Sequence, residues 1–230
     1  MGTILKTLKF YNWLDSLPKV VQNEIFNLMT ERTLSDGEAL FHIGEESNEL
    51  YQIITGKIKC NMYSHDGKEV VISTLLSGET FGEQGLLDGL TRATNTYSVG
   101  VSLVKVLNKK HFSQLCIKHP EINAQLIVMF SHRMRMAFEI NTDNLTLPLR
   151  QRLFRCLHRI VVSLSTTPTV DNALSVDISH DELARMVGAS RQNVSKELKQ
   201  MERDGLLTIQ YGKMVINNLQ ALEKEYYVSN

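Results

Sequence analysis

The segment between residues 178 and 205 constrains the fold of this chain most strongly, because it holds two helix-start signals separated by a glycine. Ser179 and Glu182 form a capping-box pattern, in which each side chain satisfies a free backbone N–H group at the beginning of a helix. Ser190 stands in the same position before a second amphipathic segment, and Gly188 lies between the two, where a tight turn favours a residue without a side chain. The sequence therefore predicts two short helices joined by a tight turn.

The second of these helices, Arg191 to about Arg203, is predicted to have one buried face and one polar face. Its apolar residues recur at steps of four and three, and Gly205 is placed to end it. The apolar residues are Val194, Leu198 and Met201, and the outer face carries Arg191, Gln192, Ser195, Lys196 and Lys199. Side chains of these polar types bind base edges or phosphates.

A β-hairpin is predicted next, with strands over 206–209 and 214–216 around the turn Tyr211-Gly212-Lys213. Two capped helices, a glycine turn, a polar face and a hairpin together predict a winged helix-turn-helix, whose second helix enters the major groove of double-stranded DNA. Ser179 and Ser190 at the helix starts and Lys213 in the wing complete the predicted DNA-binding set. A helix pair inside a bundle would lack this combination.

Residues 33–107 have the pattern of a compact all-β unit, either a barrel or a roll, because short β-prone runs alternate with turn signals. The runs are 39–41, 50–54, 57–62, 70–75 and 101–107, and the turn signals are Asp36-Gly37, Ile43-Gly44-Glu45, Thr55-Gly56, Asp66-Gly67 and Ser77-Gly78. Before this unit, apolar residues at three- and four-residue steps predict a helix over 10–30.

The stretch from Phe81 to Thr94 lies late in the β unit and predicts a ligand-binding loop without a core-forming pattern of its own. It combines glycines, which let a backbone approach a ligand closely, with the acidic Glu83 and the basic Arg92. Backbone N–H groups in such a turn cradle an anion, an arginine adds a bidentate contact to a phosphate, and a glutamate accepts from a hydroxyl. These groups together would suit a nucleotide. The alternative is a glycine-rich surface loop with a solvated arginine.

Beyond residue 109 the apolar period becomes helical, with a short helix predicted over 111–116 and a long one after Pro120. Two apolar rows follow the long helix, one through Ile127, Phe130, Met134, Ala137 and Asn141, the other through Ile122, Leu126, Met129 and Met136, with Arg133 interrupting. Two rows indicate two partners, the β unit and a second copy of the helix, so we expect a homodimer. One wide stripe on a single core is the alternative. Asn141 would set the register of the two helices or reach a ligand.

Asn144 to Pro148 predicts a hinge, because a proline disfavours helical conformation in the residue before it. An amphipathic helix is predicted after the hinge, over 150–164, and a loop or hairpin over 165–176.

Composition and cysteine spacing exclude several classes of protein. With 43% hydrophobic and 22% charged residues and a net charge of zero, the chain has the composition of a soluble globular protein. No segment has the pattern of a signal peptide or a transmembrane helix, and Cys60, Cys116 and Cys156 are too far apart for a metal site and fit a reducing cytosol. We therefore expect a cytoplasmic protein with no membrane partner and no metal. No catalytic constellation stands out, so we do not expect an enzyme.

Two motifs occur in a specific order: Phe81-Gly82-Glu83 followed by Arg92-Ala93, and then Val187-Gly188-Ala189-Ser190-Arg191. Together with Phe41-His42-Ile43-Gly44-Glu45 and Thr55-Gly56-Lys57, they resemble the cyclic-AMP receptor protein and fumarate–nitrate regulator family of bacterial transcription factors, over residues 36–216. The resemblance implies an α+β fold with a cyclic-nucleotide-binding β-roll over 1–110, a long dimerisation helix with its hinge over 111–146, and a winged helix-turn-helix over 147–230.

The resemblance also implies roles for single residues. Glu83 would accept from the ribose 2′-hydroxyl and Arg92 would bind the cyclic phosphate, while backbone groups near Gly82 and Ala93 would complete the cradle. The effector would then be cyclic AMP or cyclic GMP, with no required cofactor. In the second domain, Arg191 would bind a guanine in the major groove.

This chain departs from the family pattern both in the expected effector-binding residues and in the expected DNA-binding residues. Cyclic-AMP responders of this family carry a Thr-Ser pair where this chain has Ala137-Phe138. Asn141 and Thr142, one turn further on, are the candidate substitutes for that pair. Alternatively, the pocket holds another nucleotide or none. Gln192 replaces a family glutamate, so we expect a different preferred base pair in the operator. No cysteine cluster precedes Cys60, which argues against an iron–sulfur sensor. We expect His42, His65 and His111 to be surface residues rather than haem ligands.

The sequence thus predicts a homodimeric transcription regulator that binds a near-palindromic DNA site and is switched allosterically by a cyclic nucleotide, with RNA polymerase as a further partner. Two alternatives remain: the same regulator with no effector or a different one, and a cyclic-nucleotide-responsive subunit whose C-terminal domain binds a protein.

Overall fold

The structure is a computed structural model, and it describes residues 11–67, 69–164, 174–176, 178–210 and 213–217. The described residues fall into two compact units, one over 11–133 and one that begins at Met134. The first unit contains α1 (Lys19–Leu28), β1 (Thr30–Leu34), β2 (Ala39–Phe41), β3 (Glu49–Tyr63), β4 (Glu69–Leu76), β5 (Thr80–Phe81), α2 (Gln84–Asp88), β6 (Asn95–Asn108) and α3 (Lys109–Lys118). Helix α4 (Pro120–Thr146) begins in the first unit and ends in the second, where α5 (Leu149–Leu164), β7 (Leu174–Val176), α6 (His180–Met186), α7 (Arg191–Arg203), β8 (Leu207–Gln210) and β9 (Lys213–Ile216) follow.

The strands of the first unit form one antiparallel sheet, in the region where the turn spacing predicted a compact all-β unit. Strands β1, β6, β3 and β4 are neighbours in that order, while β2 also pairs with β6 and β5 with β3. The two longest strands, β3 and β6, pair from Glu49 opposite Asn108 to Asn61 opposite Asn95. They therefore hold the unit together, and the loop between β5 and β6 is anchored at both ends by them.

The predicted turn at Thr55-Gly56 is wrong, because both residues lie inside β3. The pairing of β3 with β6 shifts register on both sides of Thr55, which marks a bulge. The φ angle of Gly56 is 97°, and a Cβ atom there would lie 2.2 Å from Ser102 Oγ. Glycine is therefore needed here for a bend within a long strand and not for a reversal of the chain.

The predicted helix over 10–30 is shorter in the structure, where α1 begins at Lys19; residue 10 lies outside the described residues. Pro18 is extended, with φ −55° and ψ 142°, and directly precedes the helix. Trp13 and Leu14 lie in a turn before it and are buried in the core of the first unit. The apolar spacing over these residues therefore corresponds to a turn followed by a helix, and not to one continuous helix.

Helix α4 buries one of its two predicted rows. Ile122, Leu126 and Met129 lie in the core of the first unit, and Phe130 packs against the same core, contrary to its predicted place in the second row. The exposed row instead follows Ile127, Ser131, Met134, Phe138, Asn141 and Leu145, of which the four apolar residues are more than half exposed. A step of four and three along this row is the heptad spacing of a coiled coil. The exposed apolar row argues against the alternative of one wide buried stripe.

The second unit confirms the predicted helices and wing. The side chain of Ser179 caps α6 in a complete capping box with Glu182, and Ser190 caps α7. Gly188, with φ 62°, makes the turn, and α7 buries the three predicted apolar residues. In the wing, β9 pairs with β8 and β7, and the turn residues Tyr211 and Gly212 lie outside the described residues. Of the predicted loop or hairpin over 165–176, the described part is strand β7.

The predicted hinge over 144–148 is reduced to Leu147 and Pro148, since α4 continues to Thr146 and α5 begins at Leu149. Beside it, the buried Asp143 of α4 pairs with Arg155 and Arg159 of α5, at 2.6 Å and 2.7 Å. The two helices are thus joined by a buried ion cluster as well as by the chain. The boundary between the two compact units lies at Met134, inside the predicted segment 111–146. The predicted domain boundaries therefore remain a prediction.

Candidate effector site and DNA-binding surface

The loop between β5 and β6 is folded against the first unit and is not an open surface loop. It contains the short helix α2, which ends at Gly89 with φ 77°, and Leu86 of this helix is buried in the core. The stretch therefore contributes Leu86 to the core, although its sequence shows no core-forming pattern. Arg92 closes the loop, because its N–H donates to Glu45 O at 2.8 Å and its carbonyl accepts from Gly44 N at 2.9 Å.

The Arg92 side chain is buried, with 6% of its surface exposed, and two backbone carbonyls accept its hydrogen bonds. Its Nη1 donates to Gly82 O at 2.8 Å and its Nη2 to Glu49 O at 2.7 Å. The guanidinium lies 4.1 Å from the centre of the Phe41 ring, a cation–π contact. Burial lowers the pKa of Arg92, but a guanidinium remains a cation at neutral pH. The site therefore contains a fixed positive charge.

Gly82 is required beside this guanidinium. Its φ angle is 85°, and a Cβ atom would lie 2.9 Å from Arg92 Nη1 and 3.2 Å from Glu49 O. Any other residue would push the arginine or the strand away. The sequence-based prediction that a glycine allows a close approach at this position holds, although here the approaching group is the chain's own arginine.

Glu83 is the most deeply buried charged residue of the site, with 1% of its surface exposed. Arg133 of α4 donates to its Oε1, and Arg133 also donates to Thr80 O at 3.0 Å. Glu83 Oε2 is buried and has no hydrogen-bond partner in the part of the chain that the structure describes. The carboxylate is thus neutralised on one oxygen and retains an acceptor on the other.

Arg133 is a site residue that the sequence analysis did not assign. Its only signal was that a charged residue interrupted an apolar row of the long helix. Since an arginine in a row that packs on a core needs an acceptor, the interruption pointed to a buried carboxylate. The pairing partner, fifty positions away in the sequence, followed only from the fold.

The remaining predicted effector residues are differently placed. Ala93 follows Arg92 and is exposed, while Asn141 and Thr142 are exposed on α4 and belong to the second compact unit. The structure therefore brings Gly82, Glu83 and Arg92 together, and the roles of the other three stay predictions.

Of the three histidines expected at the surface, two are exposed and the third is partly buried. His42 and His65 are exposed, and His111 is half-buried beside Asn108 at a helix start. Among the described residues, no group of three or more His, Cys, Asp or Glu side chains is placed to hold a metal ion.

The predicted DNA-binding face of α7 is exposed. Arg191 is 68% exposed and lies 3.7 Å from Asp181, and Gln192, Lys196 and Lys199 are also exposed. Lys213 is exposed at the start of β9. Ser190 and Ser179 accept from the backbone N–H groups of Asn193 and Glu182, so their hydroxyls serve first as helix caps. The cationic groups on this face are exposed to solvent, where phosphates or base edges could reach them.

His180 is the second residue that the sequence analysis missed. Its Nδ1 lies 2.8 Å from Ser195 Oγ, which joins the start of α6 to the outer face of α7. Burial, with the charge of Arg191 next, lowers the pKa of His180 below its ordinary value, so the ring is neutral at neutral pH. Ser195 is therefore half-buried and oriented by a neighbour, unlike the freely exposed residues around it.

Comparisons with known proteins match both parts of the chain. Residues 31–119 match the model of the cyclic nucleotide-binding domain, and residues 151–225 match the Crp-like helix-turn-helix domain. The cAMP-activated global transcriptional regulator CRP of Haemophilus influenzae is 27% identical over 181 residues, which are 77% of this chain and 79% of that protein. A CRP-like cAMP-activated global transcriptional regulator of Mycobacterium tuberculosis is 23% identical over 82% of this chain and 84% of that protein.

Solved structures show the same fold. The c-di-GMP responsive global regulator CLP of Xanthomonas campestris superposes with a TM-score of 0.74 at 23% identity, over 87% of this chain and 100% of that one. FixK2 of Bradyrhizobium japonicum superposes with a TM-score of 0.76 at 18% identity, over 85% and 96%. Within the described ranges, no helix is both long enough and apolar enough to cross a membrane.

The two domain matches occur in the predicted order and agree with the buried Gly82–Glu83–Arg92 cluster and with the exposed basic face of α7. The chain therefore belongs to the CRP/FNR family of bacterial transcription regulators, with a cyclic nucleotide-binding domain followed by a helix-turn-helix DNA-binding domain.

Proposed function

We propose that this regulator is a homodimer that binds a cyclic nucleotide, cyclic AMP or cyclic GMP, next to Glu83 and Arg92, and that the nucleotide changes its affinity for operator DNA. The observation that carries this proposal is the buried pair of opposite charges on one glycine-rich loop. A cyclic nucleotide offers an anionic phosphate and a donating 2′-hydroxyl, which are the complements of a guanidinium and a carboxylate.

The contacts that Arg92 and Glu83 make within the protein also suggest how ligand binding is transmitted to the long helix. A phosphate that takes hydrogen bonds from Arg92 competes with the carbonyls of Gly82 and Glu49. A ribose hydroxyl that donates to Glu83 meets a carboxylate that already holds Arg133 of α4. Because Arg133 belongs to the long helix, any change in its pairing reaches the element that carries the exposed apolar row. The ligand thereby favours one arrangement of the dimer over another.

A second copy of the chain is the proposed partner of the exposed row of α4. Ile127, Met134, Phe138 and Leu145 recur at heptad spacing, and Phe138 alone leaves 62% of its surface exposed. Two such helices side by side would bury these residues as the core positions of a coiled coil. Asn141 lies in the same row and would fix the register of the pair, the role proposed for it from the sequence.

On DNA, the two α7 helices of the dimer would enter successive major grooves, about 34 Å apart, on a near-palindromic site. Arg191 would bind a guanine and Gln192 an adenine, while Lys196, Lys199 and Lys213 would bind phosphates or base edges. The hydroxyls of Ser179, Ser190 and Ser195 would add contacts near the helix starts. RNA polymerase and a cytoplasmic location complete the proposal, both as expected for a transcription regulator.

The test is a gel-shift titration of operator DNA with cyclic AMP and with cyclic GMP. We expect one of them to change the dissociation constant of the wild-type complex. Arg92→Lys is the matched variant, because lysine keeps the positive charge but lacks the planar guanidinium that binds a phosphate through two N–H groups. We expect this variant to need at least about tenfold more nucleotide for the same change in DNA affinity. Unchanged DNA affinity with both nucleotides would remove the cyclic-nucleotide part of the proposal and leave the DNA-binding part intact.

A regulator without an effector is the second candidate, and one observation favours it. Nη1 and Nη2 of Arg92 already donate to two carbonyls, the guanidinium packs on an aromatic ring, and one oxygen of Glu83 is held by Arg133, so most of the charged groups of the loop have partners within the chain. Tight operator binding by extensively dialysed protein, unchanged by either nucleotide, would select this candidate over the first.

A further inference from the structure

His180 is the first residue of α6, and its side chain joins this helix to the proposed DNA-binding face of α7. Its Nδ1 lies 2.8 Å from Ser195 Oγ, although the two residues are 15 positions apart in the sequence. Arg191, Ser195 and Lys199 recur at steps of four and therefore share one face of α7. Arg191 and Lys199 are exposed, while His180 and Ser195 are half-buried. The histidine is thus bonded to the middle of a row whose two ends are cations.

The surroundings of His180 disfavour a charged ring in the free protein. Burial, and then the charges of Arg191 and Lys199, lower the pKa of His180, while the charge of Asp181 on its own helix raises it. The lowering causes prevail, so the ring is uncharged at neutral pH.

Bound DNA would change this electrostatic balance. Phosphates bring anions to the face that carries Arg191 and Lys199, and an anion near an imidazole favours its cationic form. A histidine that is neutral in the free protein and cationic in the complex takes up a proton when DNA binds. Affinity for DNA then rises as pH falls through the pKa that His180 has in the complex. It stops rising below the pKa of the free protein, where the ring is charged in both states.

The charge of His180 also decides which hydrogen bonds Ser195 can make. Nδ1 of a neutral imidazole either donates or accepts, whereas Nδ1 of a cationic imidazole only donates. When Nδ1 donates to Ser195 Oγ, the hydroxyl proton of Ser195 is available for another acceptor. Protonation therefore supplies a positive charge and an oriented hydroxyl donor at the same place.

We propose that His180 and Ser195 form a proton-linked DNA contact, in which the cationic ring directs the Ser195 hydroxyl to donate to an acceptor on the DNA. This inference rests on the helix-turn-helix domain and not on the effector site, so it holds with or without a nucleotide beside Glu83. A phosphate oxygen and an acceptor on a base edge offer the same chemistry to the hydroxyl. A phosphate occurs in every DNA sequence, whereas a particular base edge occurs only in the operator.

The alternative is a hydrogen bond that only holds α6 against α7. In that case replacing His180 would alter the stability of the domain, and any loss of DNA affinity would be the same at every pH. The two interpretations differ in the pH profile of DNA binding, which a uniform structural defect does not alter.

The experiment measures the dissociation constant of the wild-type protein for fluorescently labelled operator and random DNA by anisotropy. Salt is held constant, and pH is varied from about 8 to about 5.5. We expect affinity for the operator to rise by about fivefold on acidification, the value of one net hydrogen bond. The same rise on random DNA identifies the acceptor as a phosphate, and a rise confined to the operator identifies it as a base edge. Calorimetric titrations in two buffers of different ionisation enthalpy should show proton uptake on binding.

Two variants hold position 180 in one charge state each. His180→Asn keeps a hydrogen-bonding group near the place of Nδ1 but cannot become charged, so its affinity should not rise on acidification. His180→Arg is charged at every pH, so it should bind at about pH 8 as tightly as the wild type does at about pH 5.5. Ser195→Ala removes the hydroxyl and should lose most of the rise while Arg191 and Lys199 still bind DNA.

His65→Asn is the matched control, because His65 is an exposed histidine of the first unit. We expect it to keep the full pH dependence of the wild type. A wild-type affinity that does not rise on acidification, or an equal rise in His180→Asn, overturns the inference while DNA binding itself stands. An undiminished rise in Ser195→Ala overturns the role given to the Ser195 hydroxyl.

Discussion

Two buried carboxylates of this chain, Glu83 in the first unit and Asp143 in the second, have opposite surroundings. Each is 1% exposed and each pairs with arginine. Asp143 uses both oxygens, with Oδ1 on Arg155 and Oδ2 on Arg159. Glu83 uses one oxygen on Arg133 and leaves the other without a partner within the described residues. Among the described residues, both carboxylate oxygens are therefore hydrogen-bonded in Asp143, but only one is in Glu83.

The difference separates a structural ion cluster from a binding site. A buried carboxylate with both oxygens paired has no acceptor left for a ligand, and it fixes the two helices that provide the partners. A buried carboxylate with a free oxygen bears a desolvation cost that a donating ligand would relieve. Asp143 therefore connects α4 and α5, and we propose Glu83 as the residue that receives the effector.

The largest effect is expected for Asp143→Asn. This change keeps the shape of the side chain but leaves Arg155 and Arg159 without their common anion, so the free energy of unfolding should fall by about 3 kcal/mol. Urea denaturation followed by circular dichroism measures it. Nucleotide affinity should be unaffected, and a loss of less than about 0.5 kcal/mol would show that the cluster is not structural.

Glu83→Gln is the matched substitution on the other side of the comparison. We expect nucleotide affinity to fall by about tenfold or more, because an amide is a weaker acceptor for the ribose hydroxyl than a carboxylate. Stability should fall less than in Asp143→Asn, because Arg133 is partly exposed and keeps its bond to Thr80 O. Calorimetric titration and urea denaturation of both variants give the two numbers. The comparison fails if the two variants behave alike in both assays.

Arg191→Ala tests a proposed DNA-binding residue whose side chain makes one exposed ion pair. It is exposed, and its nearest opposite charge, Asp181, is 3.7 Å away. We expect a loss of about 1–3 kcal/mol in binding to the cognate operator and no change in melting temperature. Gln200→Ala, on another side of α7, is the control and should change neither quantity. Equal losses on operator and random DNA would make Arg191 a phosphate contact.

The smallest effect is expected from Glu79, whose burial raises its pKa to about 7 even though Leu76 N donates to it at 2.6 Å. The folded state therefore keeps a proton that the unfolded state loses at lower pH. Stability from this group is present below the ordinary pKa of a glutamate and is lost as pH rises through 7. Glu79→Gln should remove this decline, on the order of 1 kcal/mol between pH 6 and pH 7. Fluorescence of Trp13, the chain's single tryptophan, measures it.

Local signals explain why the second unit was predictable from the sequence in detail. Capping serines, a turn glycine and a short apolar period act over a few residues, and α7 spans the predicted Arg191 to Arg203. In the first unit the order of strands and turns was predictable, but the partners were not. Whether Gly56 makes a turn or a bulge depends on the pairing of β3 with β6.

The same limit applies to the effector site. Gly82, Glu83 and Arg92 were found because they are close in sequence. Arg133 was not, because the fold of the strands and the packing of α4 bring it to Glu83 and Thr80 from distant positions in the sequence. Non-local pairing places the residues that complete a site, and no periodicity in the chain encodes it.

The proposed function requires that nucleotide binding at Glu83 and Arg92 and DNA binding by α7 be energetically coupled. Linkage requires that operator DNA change nucleotide affinity by the same factor by which nucleotide changes operator affinity. The direct measurement is calorimetric titration of cyclic AMP and cyclic GMP into the wild-type protein, alone and in complex with operator DNA. We expect a difference of about tenfold for at least one nucleotide. Binding of both nucleotides with the same affinity in the two titrations, or no binding in either, would contradict the account.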